Sequence, residues 1–191
     1  ISDQICEGIE KLIHKVDAFI VMDQVDIEET GVITSQILER LGQIQEQNPE
    51  KLIIADSRRG LQSYPNLTYK MNANELAAWK GCSKMSLDQV KTESFQMARK
   101  SGQPVFVSMA DQGITGVVPK GDQAYAASLP LRGPIDIVGA GDSVTANLCA
   151  SLAAEASLDE ALQLSMRAAS CVIHQLGTTG TATRRDLLQF A

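Results

Sequence analysis

Cysteine pairs, histidines, aromatic residues and long apolar runs are all scarce in this chain, and each scarcity narrows what it can be. The four cysteines, Cys6, Cys82, Cys149 and Cys171, nowhere form a C-x-x-C pair. Two of them lie inside apolar helical patterns. All four read as reduced, mostly buried thiols of a cytoplasmic protein. The two histidines, His14 and His174, have no ligand-spaced partners, which argues against a His/Cys zinc site. No run approaches the apolar length of a membrane span. Basic residues are outnumbered: the net charge is -6 and the pI about 4.9, against a nucleic-acid or anionic-membrane surface. The first residues, Ile1-Ser2-Asp3-Gln4, are neither an initiator methionine nor a signal peptide, so the expectation is a chain that begins partway through a longer one.

Two nucleotide-binding motifs are missing as well. No G-x-x-x-x-G-K-[ST] occurs. A dinucleotide G-x-G-x-x-G would need a small residue at Val144, and no acid ends a strand about twenty residues later, where a ribose would be held. A nicotinamide dehydrogenase is disfavoured on both counts.

What is present is 191 residues with 44% hydrophobic and 21% charged side chains, enough for one large domain with a real core. Helical spacing over 4–16, 29–46, 86–100, 141–155 and 158–174 alternates with apolar runs at 17–23, 52–56, 67–71 and 104–109. Asn72, Ser86 and Ser157 are candidate helix caps. Gly113, Gly116 and Gly121 punctuate two antiparallel strands, 114–119 and 123–128. The class is therefore α/β with a largely parallel sheet. Such sheets bind ligands beyond the carboxyl ends of their strands. Asp23, Asp56, Asn72, Ser108 and the segment 139–142 all follow apolar runs and should gather on that edge.

The organising stretch is Ile135-Asp136-Ile137-Val138-Gly139-Ala140-Gly141-Asp142-Ser143. Its glycines open a helix of small residues. Amides at a helix start carry partial positive charge, and glycine lets a phosphate approach them. Asp142 falls in the first turn, where it could accept a hydroxyl proton during phosphoryl transfer. A plain strand-to-helix turn, with Asp142 serving only the helix dipole, is the alternative. Asn72 and Glu75, with Lys70 beside them, could order a hydrated Mg²⁺ or simply cap a helix. Arg58 and Arg59 could clamp phosphate or sit on a solvated loop.

Asp136-Ile137-Val138-Gly139-Ala140-Gly141-Asp142-Ser143 resembles the D-T-x-G-A-G-D-[ST] motif of the ribokinase-like (PfkB) carbohydrate kinases. Asn72-Ala73-Asn74-Glu75 is similar to their N-x-x-E motif, with Lys70 where K-P-N is common. Val107-Ser108-Met109-Ala110-Asp111-Gln112-Gly113 is similar to their V-T-x-G-x-x-G turn. Gln175-Leu176-Gly177-Thr178 with Thr181-Ala182-Thr183 is similar to a closing K-L-G-T-x-T segment. The last two runs most resemble the kinase domain acting on heptose 7-phosphate in lipopolysaccharide precursor synthesis.

The resemblance implies a three-layer α/β/α fold and ATP-dependent phosphorylation of a sugar or sugar phosphate. Asp142 would be the base, and Gly139, Ala140 and Gly141 the anion hole. Asn72 and Glu75 would position Mg²⁺. Ser108, Ala110 and Gly113 would lie along the nucleotide, and Met166 to Gly177 would wall the adenine. Carbonyls near Ile173 and Gly177 would suit a monovalent cation. Ile137 replaces the usual Thr, Ala110 a common Gly that leaves more room for nucleotide, and Met166 an Asn or His. The resemblance further implies that the family's first strands, β lid and most sugar contacts are missing. Residues 1–191 would then be the ATP-binding part, a C-terminal fragment expected to be inactive alone. It also allows a homodimer, and a non-catalytic nucleotide-binding relative with a regulatory or scaffold role stands as the alternative function.

Overall fold

The computed structural model describes residues 1–189. Six strands form one sheet in the order of the chain: β1 (Ala18–Asp23), β2 (Leu52–Ser57), β3 (Thr68–Asn72), β4 (Val105–Ser108), β5 (Ile114–Val117) and β6 (Gln123–Ala126). β1 to β4 are parallel, and β5 and β6 return antiparallel. Seven helices accompany them among the described residues: α1 (Ser2–Leu12), α2 (Ser35–Gln47), α3 (Ala73–Trp79), α4 (Leu87–Ser101), α5 (Ala140–Ala153), α6 (Leu158–Ile173) and α7 (Arg184–Leu188).

Strand residues alternate between two cores, as a period of two requires. Ile53 and Ala55 of β2, Tyr69 and Met71 of β3, and Val105 and Val107 of β4 face the layer that holds α2 and α4. Ile54 and Phe106 face the other way, onto Val144 and Leu148 of α5 and Leu162 of α6. The result is three layers, α/β/α, with fully buried apolar side chains on both faces of the central strands.

Local chemistry explains most element ends. Ser86 and Ser157 each close a capping box, with Gln89 and Glu160 respectively. Gly102 ends α4 in the left-handed conformation. One expected start and one expected end are corrected. The second helix begins at Ser35 rather than 29, because Glu29 takes φ 61 and its carboxylate instead accepts from the Ser35 amide at 2.7 Å. The first helix ends at Leu12, short of 16. All four cysteines are free: Cys149 and Cys171 are buried, Cys6 is half-buried and Cys82 is exposed.

Candidate active site

The parallel register sets the carboxyl ends side by side. Asp23 lies opposite Ser57, Met22 opposite Asp56, and Asn72 opposite Ser108. β2 and β3 are in register at Ile54 and Thr68, which brings Asp56 level with Lys70. Lys70 Nζ donates to Asp56 Oδ2 at 2.8 Å, and Thr145 Oγ1 of α5 lies 2.9 Å from the same oxygen. The Lys70 side chain is only 6% exposed. This buried triad ties β2 and β3 to the first turns of α5. It also places Lys70 Nζ 3.5 Å from where a Cβ on Gly141 would be. The expected convergence on one edge therefore includes the cradle.

Gly139 precedes α5 with φ 81, a conformation that glycine adopts without a side-chain clash. It offers no capping side chain, whereas α3, α4, α6 and α7 each carry a full capping box. Helix geometry leaves the first amides of α5 without intrahelical acceptors. The Ala140 amide is taken by the Ile137 carbonyl at 3.1 Å. Those of Gly141 and Asp142 begin an open turn in which both residues are exposed. Asp142 stands in that first turn.

The lead-in segment 135–138 is apolar apart from Asp136 but forms no strand. Hydrogen bonds to the end of α6 hold it. The Asp136 amide donates to the Ile173 carbonyl at 2.8 Å, and the Asp136 carboxylate accepts from Gly177 N at 3.2 Å and Val138 N at 3.0 Å. Ile173 and Gly177 thus meet at Asp136.

Asn72 caps α3: its Oδ1 accepts from the amides of Asn74 and Glu75, each at 2.9 Å. Glu75 Oε2 accepts from the Asn72 amide at 2.7 Å. The pair forms a complete capping box, one of the two roles expected of it. Burial pushes the Glu75 carboxyl up, and the nearby Asp56 adds to this, while the Asn72 amide and Lys70 oppose it. Glu75 is half-buried beside the charged pair Asp56 and Lys70.

Ser108 ends β4, and its hydroxyl donates to the Met71 carbonyl at 3.4 Å. Ala110 adopts φ 51 in the turn that follows, a left-handed backbone that costs a residue with a Cβ. Gly113, at φ 93, passes so close to the Ala126 carbonyl that no side chain fits. Met166 is only 8% exposed and belongs to the apolar core that also contains Phe106 and Ile114.

The arginine pair separates. Arg59 donates to Asp23 Oδ2 through Nε at 2.9 Å and its terminal nitrogen at 2.6 Å, and it also meets Glu28 at 3.2 Å. Tyr64 donates to the same Asp23 oxygen at 3.0 Å. Burial raises the Tyr64 phenol to about 12. Arg59 is thus committed to a buried carboxylate instead of a phosphate clamp or a solvated loop. Arg58 reaches Gln24 at 3.3 Å. The Asp23–Arg59–Tyr64 and Asp56–Lys70–Thr145 groups escaped the sequence reading as clusters. An aspartate finishing each of two apolar runs was the available signal.

A family model described as pfkB family carbohydrate kinase matches residues 15–184. The chain belongs to the pfkB family. The bifunctional protein HldE of Bradyrhizobium sp. (strain ORS 278) is 23% identical over 198 residues, covering 100% of this chain and 39% of that protein. Arabidopsis thaliana ribokinase, in a structure with ribose and ATP, superposes with a TM-score of 0.78 at 18% identity, covering 99% of this chain and 59% of that one. Escherichia coli phosphofructokinase-2, in a structure with potassium, gives 0.73 at 23% identity, covering 96% and 60%. The fold is ribokinase-like, and the chain spans well under two thirds of the length of these relatives. No helix among the described residues is long and apolar enough to cross a membrane.

Proposed function

We propose that this pfkB chain carries the ATP-binding and base-bearing part of a kinase that phosphorylates a hydroxyl of a sugar or sugar phosphate. One observation carries the reading: an uncapped, glycine-led helix start with an exposed carboxylate in its first turn, resting on the buried Asp56–Lys70–Thr145 triad. The amides of Gly139 to Gly141 would face the transferring phosphoryl group, where fixed dipoles stabilise charge as it develops. The Ala140 amide would have to leave the Ile137 carbonyl to join them. Asp142 would orient the acceptor hydroxyl and take its proton late, as the new O–P bond forms; a loose transition state needs no strong base.

Ser108, Ala110 and Gly113 would line the nucleotide. Ile173 and Gly177 would flank the adenine, and their carbonyls suit a monovalent cation; the Ile173 carbonyl already accepts the Asp136 amide, and the Gly177 amide donates to the Asp136 carboxylate. Met166 would back that wall from the core. Asn72 and Glu75 are oxygen donors of the kind that Mg²⁺ takes through its waters. Among the described residues no three His, Cys, Asp or Glu side chains could hold a metal together. That suits an ion held mainly by phosphates and water. When bound, Mg²⁺ supplies neutralisation of phosphate charge.

Heptose 7-phosphate is the acceptor that the resemblance favours, through the Ser108-Met109 and Gln175-Leu176-Gly177-Thr178 runs and the similarity to HldE proteins. Because residues 1–191 are expected to be inactive alone, ADP release should be measured in the whole protein with ATP, Mg²⁺ and a panel of heptose 7-phosphate, fructose 6-phosphate and ribose. Acceptor-dependent ADP formation, fastest with the heptose, is expected. Release unaffected by any acceptor would overturn the kinase reading, and a preference for another sugar would overturn the heptose assignment alone.

A further inference from the structure

His174 looks like helix-end packing, yet both of its ring nitrogens are engaged. Nδ1 lies 2.6 Å from the Ser170 carbonyl, and Nε2 accepts the Arg132 amide at 2.9 Å. A carbonyl can only accept and an amide N–H can only donate. The two partners therefore fix a neutral ring with its proton on Nδ1. Arg132 belongs to residues 127–139, which run without regular structure from β6 to the first turn of α5. The Asp136 amide is tied to Ile173, one residue before His174. The next residue, Gln175, holds the other side. Its amide nitrogen donates to the Thr181 carbonyl at 2.6 Å and its oxygen accepts the Thr181 amide at 3.1 Å. The segment so held contains Thr179, whose Cγ2 sits 2.8 Å from where a Cβ on Gly139 would be.

From this we infer that His174 is a positioning residue for the cradle. It acts as a neutral two-ended clamp, fastening the lead-in segment at Arg132 to α6, so that Gly139 to Asp142 start from a fixed backbone. The functional side of this inference rests on the kinase reading. The clamp itself does not.

The test compares wild type with His174→Phe and His174→Gln in the whole protein. Phe keeps the ring's shape but neither hydrogen bond. Gln restores an acceptor at a similar reach. In wild type, at a pH above the ordinary imidazole titration range, the ring ¹⁵N shifts should show a protonated Nδ1 and a bare Nε2. His174→Phe should speed hydrogen exchange at Arg132 and at 137–141 by about tenfold or more, with the melting transition still cooperative. It should lower kcat by about 5–10-fold with the KM for ATP within about twofold, as loss of a positioning contact felt in the transition state does. His174→Gln should recover most of both effects. A proton on Nε2, unchanged exchange at 137–141 in the Phe variant, or a Gln variant no better than Phe would overturn the clamp. Were ADP formation absent even in wild type, the kinase reading would fail, while tautomer and exchange would still decide the clamp.

Discussion

Replacing Asp56 with Asn should expose how much the site depends on charge buried beneath it. Asp56 accepts from Lys70 at 2.8 Å and lies 2.9 Å from the Thr145 hydroxyl. The Lys70 and Asp56 side chains are 6% and 14% exposed. Asn keeps the shape and one acceptor oxygen but removes the charge paired with the ammonium, leaving it buried with only the half-buried Glu75 carboxyl nearby. Breaking one side of a buried pair costs about 3–5 kcal/mol; because the Asn oxygen still accepts, about 3 kcal/mol is the figure to expect. For a chain of this size that lowers Tm by roughly 6–12 °C. Lys70→Met removes the stranded charge, so the double variant should be more stable than the sum of the two single losses predicts, by at least about 1 kcal/mol. Urea unfolding of wild type, both singles and the double closes the cycle. An Asp56→Asn loss below about 1 kcal/mol, or simple additivity, would refute the reasoning.

Other outcomes follow from single residues. Burial raises the Glu75 carboxyl, so the folded state holds this proton more tightly than the unfolded chain, and stability falls as pH rises through the folded value. Glu75→Gln, which can still accept the Asn72 amide, should therefore gain on wild type in melts above that window and lose the advantage below it. The same variant should need more Mg²⁺ for turnover; an unchanged Mg²⁺ titration would leave Glu75 as a cap only. Gly139→Ala forces a Cβ into φ 81 and against Thr179, and should cost about 1–2 kcal/mol from the backbone alone, read by denaturation. Ala110→Gly relieves φ 51 and should be neutral or stabilising by up to about 1 kcal/mol, read the same way.

The fold was largely legible because its signals are local. Ser86 with Gln89, Ser157 with Glu160 and Gly102 mark helix ends with their own side chains or backbone. The runs at Ile53-Ile54 and Val105-Phe106-Val107 are apolar on both faces, as strands between two helical layers must be. The parallel edge followed from that alternation. The lost portions depend on partners distant in sequence. Nothing near Arg59 announces a bond to Asp23, 36 residues away, and nothing near Thr145 announces Asp56, 89 away. Residues 29–34 continue the helical spacing of the segment that follows, but Glu29 takes a left-handed backbone and the helix starts at Ser35. His174 offered a lone histidine at a helix end, and only the approach of Arg132 gives it two partners. Met166, which the resemblance would assign to the adenine wall, is buried in the core that also holds Phe106 and Ile114, which its place in the helical spacing already allowed.

The central claim is that Asp142 is the base at an amide cradle, and Asp142→Asn in the whole protein tests it most directly. Asn keeps the size and still suits a helix start, so Tm should hold to within a few degrees. The amides of Gly139 to Gly141 are untouched, so the KM for ATP should barely move. The account predicts that kcat for the acceptor falls by roughly 10²–10⁴-fold, the loss expected for a positioned general base. A folded Asp142→Asn protein that keeps most of its kcat would contradict it and leave Asp142 a residue of the helix start alone.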